Sequence, residues 1–175
     1  GNYVWPSGKT FLFTVKDMFL HAQFVKMAIE EAKQNPKWDG NVDNLITQEA
    51  LRLYGGRLQE DPRDIKAFVT SILKSIVPNA QETLSGAIIQ SSNGGIAQLA
   101  GVPVQTHGRT EADINPILRL TLVPRMVNTL STILRGWQAG KMVGLVGETA
   151  GAKTSMGRYL AQLMGLDYYV YSTHG

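Results

Sequence analysis

The sequence predicts a mainly α front portion followed by the start of an α/β unit whose parallel sheet is incomplete. Three observations carry that expectation. Apolar residues recur at helical spacing between clear start and stop signals over residues 14–90. The composition then turns to Gly, Ser and Asn over 91–116. Beyond 117 a helical run, an apolar run, a Gly-rich turn, a second helical run and a β-rich run follow in that order. The expected division is a helical accessory domain over 1–90, a loop-rich connector over 91–116 and an α/β portion over 117–175.

Taken in chain order, residues 1–13 read as extended, with a turn at Trp5-Pro6-Ser7-Gly8 and a short apolar Phe11-Leu12-Phe13. Thr14 and Asp17 can cap a helix that runs to about Lys33. Val15, Met18, Phe19, Ala22, Phe24, Val25, Met27 and Ile29 give it a wide apolar face, and Asn35-Pro36 stops it. A second helix is expected from about Val42 to Tyr54, ended by Gly55-Gly56. Asp61-Pro62 opens a third, with Ile65, Phe68, Val69, Ile72, Leu73 and Ile76 as its core stripe and Pro78 after it. A shorter helix is expected near Gln81–Gln90. Residues 91–113 read as a surface-exposed, mobile connector because their Gly, Ser and Asn content leaves little to bury. Pro124 starts a helix to about Trp137, and Gly140 ends it.

The most informative stretch comes next. Met142-Val143-Gly144-Leu145-Val146 reads as a strand. It leads into Gly147-Glu148-Thr149-Ala150-Gly151-Ala152-Lys153-Thr154, and then an amphipathic helix from Ser155 to Met164 stops at Gly165. Strand, Gly-rich turn, Lys-Thr and helix are the layout of a phosphate-binding loop. Such a loop aims backbone N–H groups and a helix N-terminus at a phosphate, with a Lys for the outer phosphates and a hydroxyl for Mg²⁺. The pattern G-x-x-x-x-G-K-[ST] is kept except at its sixth position, which is Ala152. Ala150 also stands where the related G-x-x-G-x-G-K-T form has Gly. If either site needs positive φ, a Cβ there costs roughly 1 kcal/mol or more; at negative φ, Ala is harmless. After Gly165, Asp167-Tyr168-Tyr169-Val170-Tyr171-Ser172 reads as another strand with a half-buried alternation.

Composition excludes several classes. With 43% hydrophobic residues the chain is not disordered. It has no cysteine, so it has neither disulfides nor thiolate metal sites, and a reducing, cytoplasmic compartment is expected. No apolar run approaches the ~18 residues of a membrane span, and no membrane role is expected. The N-terminus has no signal-peptide pattern, and Gly1 in place of Met reads as a cloning scar on a piece of a longer protein. A net charge of +3 with scattered basic residues does not indicate nucleic acid.

With those residues placed, Leu122 to Gly175 resembles the start of an AAA+ ATPase module, nearest the dynein-related and midasin-like branch. The matching pieces are the helix Met126–Arg135, the strand Lys141–Val146, the loop Gly147–Thr154, the helix Ser155–Met164 and the strand Tyr168–Thr173. The resemblance implies a P-loop NTPase core with ATP and Mg²⁺ as ligands. Gly147, Glu148, Thr149, Ala150, Gly151, Ala152, Lys153, Thr154 and Ser155 would form the nucleotide site. Lys153 would contact the β- and γ-phosphates, and Thr154 would ligate Mg²⁺. The backbone of Ala150 to Thr154 would cradle the phosphates. It implies a parent, a ring oligomer, that couples ATP hydrolysis to remodelling of a protein or macromolecular partner, bound through the helical front portion. The family's acidic pair, four apolar residues then Asp-Glu, does not occur here, so these residues alone are not expected to hydrolyse ATP. The competing reading is a binding or scaffold module that keeps a degenerate P-loop; a weaker third is a nucleic-acid-linked ATPase fragment. The front portion resembles no named family.

Other candidates have blander readings beside them. Ser7-Gly8-Lys9-Thr10 also contains Gly-Lys-Thr but reads as a turn, because Tyr3 stands where the first Gly belongs. His107 with Arg109, Glu111 and Asp113 could build a metal or acid–base site, although loop charges are usually solvated. His21 reads as a packed helix residue, and His174 would point towards a nucleotide at the end of its strand. Trp5, Trp38 and Trp137 read as core or edge residues.

Overall fold

The computed structural model describes residues 4–55, 58, 61–81, 84, 86–90, 95–109, 113–114, 121–146 and 152–171. The chain is mostly helical with a small three-stranded antiparallel sheet. It divides into two compact units, Gly1–Leu84 and Ser85–Gly175.

The first unit is built from helices. α1 (Val15–Lys33) starts on the expected box: Thr14 Oγ1 accepts from the Asp17 amide, and Asp17 Oδ2 accepts from the Thr14 amide at 2.7 Å. α2 (Val42–Ala50), capped by Asn41, runs on into a π-helical segment, Leu51–Gly55. α3 (Pro62–Phe68), capped by Asp61 with Pro62 in its first turn, runs into a second π-helical segment, Val69–Leu73, and a last turn, α4 (Lys74–Ile76). The core holds Trp5, Ala50, Leu51, Leu58, Phe68, Val69, Leu73, Val77 and Ala80. Trp5, Phe13, Tyr54 and Phe68 form an aromatic cluster within it, with ring centroids 5.1–6.4 Å apart where they meet. Asp64, buried in α3, accepts both the Ser7 amide (2.9 Å) and its hydroxyl (2.6 Å), which fastens the 5–9 turn. The Gly-Lys-Thr at 8–10 is therefore part of a turn: Gly8 has φ +78°, and its amide bonds to the Trp5 carbonyl.

Two helical stripes differ from the expectation. Val15, Met18 and Phe19 are exposed, while Phe24 of the expected face is buried together with Asp17 and Ala28. The sequence cannot tell which of two apolar faces meets the core when a helix has both. In the third helix Phe68, Val69 and Leu73 are buried as expected, but Ile76 is exposed. Val77 is buried in its place, one α-helical step of four beyond Leu73, whose carbonyl accepts the Val77 amide.

The second unit carries the sheet. β1 (Ile88–Gln90) pairs antiparallel with β2 (Ile96–Leu99), with a bulge between Ile89 and Gln90; β2 pairs antiparallel with β3 (Val102–Pro103). Ala100 and Gly101 join β2 to β3 at φ +46° and +83°, the two-residue turn whose twist suits a hairpin. The helix expected near 81–90 is thus corrected at its end, because residues 88–90 find a strand partner. The exposed connector is corrected over 96–104, where Ile96, Leu99, Val102 and Val104 enter a core. α5 (Pro124–Gln138) and α6 (Lys153–Met164) cover that core with Val127, Leu130, Leu134, Met156, Tyr159, Leu160 and Leu163. Gly140 and Gly165, both at positive φ, follow the two helices as the sequence predicts.

The parallel strands do not form among the described residues. Residues 141–146 are in no ladder, and Met142 and Val146 are fully exposed. Residues 168–171 are likewise unpaired and all exposed; Ser172 and Thr173 lie outside the described residues. A strand exists only by its partners, and a β-rich run without one stays irregular. Both segments nonetheless touch the helices. Val143 packs over Gly136 of α5, where a Cβ would come within 2.7 Å of its methyl; the Tyr168 ring lies over Gly157 of α6.

Candidate functional site

Of the nine residues expected at the phosphate loop, Ala152, Lys153, Thr154 and Ser155 are described; Gly147, Glu148, Thr149, Ala150 and Gly151 lie outside the described residues. The local sequence explains how the loop ends. Met156, Tyr159, Leu160 and Leu163 repeat at helical spacing and bury one face of α6, which fixes the helix in its unit. Ala152 is its N-cap, in the left-handed region at φ +56°, ψ +14°, and partly packed against the same core. The helix is closed at this end by the bond from the Met156 amide to the Ala152 carbonyl at 2.8 Å.

That geometry decides one alternative left open by the sequence. The sixth loop position does sit at positive φ, where Gly is the unstrained residue and Ala costs roughly 1–2 kcal/mol. Ala152 also has no side chain able to cap, and no side-chain cap bond is made. An α-helix begins with amides that lack intrahelical acceptors, and a capping hydroxyl or carboxylate normally takes one. Here Lys153 is the first helical residue, Thr154 the second and exposed, and Ser155 the third and half-buried. A cation and a hydroxyl thus stand at a helix N-terminus whose N-cap makes no side-chain bond.

The other end of α6 is built differently. Arg109 Nη1 donates to the Gln162 carbonyl at 2.6 Å, so a cation meets the negative end of the helix dipole. His107 and Gly108, at φ +49° and +82°, form a turn closed by the Arg109 amide on the Thr106 carbonyl. His107 is exposed and serves that turn, Glu111 is outside the described residues, and no group of three metal-ligating side chains occurs among the described residues. His174 is outside them too. A cavity of about 300 Å³ opens beside Gln105, His107, Trp137, Gln138 and Met164. It lies at the C-terminal end of α6, about 18 Å along a twelve-residue helix from Lys153.

The other buried or half-buried polar groups of the first unit are structural. Glu49 and Arg52, both buried, pair at 3.0 Å. His21 Nε2 lies 3.2 Å from the Ile46 carbonyl, and its ring packs edge-on to Tyr54. Burial holds the His21 pKa below 6.5, against the opposing pull of that carbonyl and of Glu49. The spacing of Glu49 to Arg52 was the available signal for the pair, but an i,i+3 pair on a helix is usually solvated.

Comparison with protein-family models, with curated proteins and with solved structures gave no match to this chain. No helix among the described residues is long and apolar enough to cross a membrane.

Proposed function

We propose that residues 141–171 are the opening of an AAA+-type nucleotide-binding core, with Gly147–Ser155 as its phosphate loop. The parent protein would couple ATP hydrolysis to remodelling of a macromolecular partner in the cytoplasm, the compartment that the lack of cysteine favours. One observation supports this above the others. A Gly-rich run in the sequence leads into Lys153 and Thr154, which open a helix that has no side-chain cap bond at its N-cap and is anchored by its own core face. The Lys153 ammonium and the amides of the first turn would hold phosphate oxygens, and the Thr154 hydroxyl would hold Mg²⁺. Bound nucleotide supplies the phosphoryl group whose transfer to water drives such machines. These residues bind and orient it; the acidic pair that would activate water does not occur in the sequence.

The unpaired segments 141–146 and 168–171 suit the same reading, since each carries the apolar and aromatic residues of a sheet strand on either side of the loop and helix. The left-handed Ala152 favours a second reading, a binding or scaffold module that keeps the loop for structure with weak or no nucleotide affinity. Titration of the chain with Mg²⁺-ADP and Mg²⁺-ATP separates them. The first reading expects saturable binding that Lys153→Ala abolishes. Heat identical to that of the Lys153→Ala variant at every concentration would favour the scaffold.

A further inference from the structure

The bend between α1 and α2 contains the one Asp-Gly pair of the chain, Asp39-Gly40. Its stem is fixed. The Trp38 amide donates to the Asn35 carbonyl at 3.0 Å, and the Val42 amide to the Gly40 carbonyl at 2.9 Å. Its tip is open. Asp39, Gly40 and Asn41 are exposed, and the Gly40 amide has no acceptor among the described residues. Gly40 sits at φ +78°, with nothing within 4 Å of where a Cβ would stand. Asp39 Oδ1 accepts the Asn41 amide at 2.9 Å. That Asx turn keeps the carboxyl beside the peptide units that follow it rather than out in solvent.

We propose that Asp39-Gly40 is a site of covalent backbone modification, at which Asp39 closes to a succinimide and reopens as isoaspartate. A side-chain carboxyl followed by an unbonded, unhindered amide nitrogen is the reacting pair of imide formation. The Gly40 nitrogen attacks Asp39 Cγ. The N–Cγ bond forms, the Cγ–OH bond breaks, and the hydroxyl leaves with the amide proton as water. Water then opens the ring. Attack at Cγ restores aspartate. Attack at the α-carbonyl leaves the chain running through Cβ and Cγ, with the α-carboxylate as a branch. Water is the only co-reactant. Asp17, Asp61 and Asp64 are worse placed, because their carboxylates are held by the Thr14, Arg63 and Ser7 amides. Met18 and Ile65 also carry side chains beside the attacking nitrogen, and Pro62 has no N–H. The consequence falls on α2. Asn41 is its N-cap and accepts the Asn44 amide at 3.0 Å. A backbone carbon added just before that cap displaces the carboxyl that now holds the Asn41 amide.

The full chain is aged for weeks in neutral buffer at body temperature and digested with trypsin. The peptide Trp38–Arg52 is then fragmented by electron transfer, which separates isoaspartate from aspartate at position 39. Isoaspartate of unchanged mass is expected there, accompanied by a form lighter by one water. The same peptide should accept label from S-adenosylmethionine through a protein isoaspartate methyltransferase. Mapping keeps this site apart from Asn93-Gly94, whose imide would release ammonia and leave a heavier peptide. Asp39→Glu, whose longer side chain closes the ring far more slowly, should abolish the signal, and Asp39→Asn should raise it. The synthetic peptide Trp38–Arg52 sets the unprotected rate, and the folded chain should come within a few-fold of it. A folded chain that forms no isoaspartate at position 39 while the peptide does overturns the proposal. So does isoaspartate that arises there only in urea, or a signal in this peptide that persists in Asp39→Glu.

Discussion

Removing the ring of Phe68 should be among the most damaging single changes in the first unit, and the structure gives the size of the loss. Phe68 is only 3% exposed, and its ring centroid lies 5.7 Å from that of Tyr54 and 6.4 Å from those of Trp5 and Phe13. Returning such a side chain to water costs about 1.5–3 kcal/mol. Three rigid aromatic neighbours cannot collapse into the space, so a cavity term adds to it, and the total for Phe68→Ala comes to about 3–5 kcal/mol. In a unit of this size each kcal/mol lowers the melting temperature by roughly 4–8 °C, so the variant should melt tens of degrees lower. Urea unfolding followed by Trp fluorescence reads it, because Trp5 is buried in the same cluster. The control is chemically identical and differs only in place. Phe19→Ala, 73% exposed on α1, should change stability by no more than about 0.5 kcal/mol. A Phe68→Ala loss below about 1 kcal/mol, or equal losses at both positions, would refute the reasoning.

Two further outcomes follow from the same unit. Thr14→Ala breaks the capping box of α1 and should cost about 1 kcal/mol in the same urea titration. His21 is a base whose folded-state pKa is held below 6.5, so the folded chain binds fewer protons than the unfolded one. Its contribution is therefore full above pH 6.5 and is lost as pH falls below it. Melting temperatures taken between about pH 8 and pH 5 should fall towards acid, and His21→Gln, which can still donate to the Ile46 carbonyl, should flatten that slope.

Helix ends were the most legible part of the fold, because their signals are local and chemical. Thr14 with Asp17, Asp61 with Pro62, Pro124, Gly140 and Gly165 each act within a turn of the chain, and each sits where its chemistry predicts. Faces were less legible. Two faces of α1 are apolar, and the choice between them rests on its packing against α2 and Tyr54, from another part of the sequence. In the third helix Val69, Leu73 and Val77 are buried at four-residue steps, while Ile76, at the edge of the expected stripe, is exposed. Strands were least legible. Ile88-Ile89-Gln90 has no alternation and becomes a strand because Ile96–Leu99 lies beside it. Met142–Val146 has strand composition and, among the described residues, no partner. At the candidate site the sequence predicted a helix from Ser155 to Met164, and the helix begins two residues earlier, at Lys153. The sign of φ at Ala152 was undecidable from sequence, since Ala adopts either when the surrounding packing dictates it.

The central claim is that Gly147–Ser155 is a phosphate loop whose two alanines weaken it. Isothermal titration with Mg²⁺-ADP or Mg²⁺-ATP tests this most directly, on the natural chain, on Ala150→Gly with Ala152→Gly, and on that pair with Lys153→Ala added. Glycine at position 152 relieves a left-handed alanine worth roughly 1–2 kcal/mol. The account predicts weak binding by the natural chain, affinity higher by about tenfold in the double-glycine variant, and loss of that gain with Lys153→Ala. Hydrolysis should be absent from all three. Tight binding by the natural chain with no gain from glycine would show that the loop accepts alanine without cost, and nucleotide binding unaffected by Lys153→Ala would contradict the phosphate loop itself.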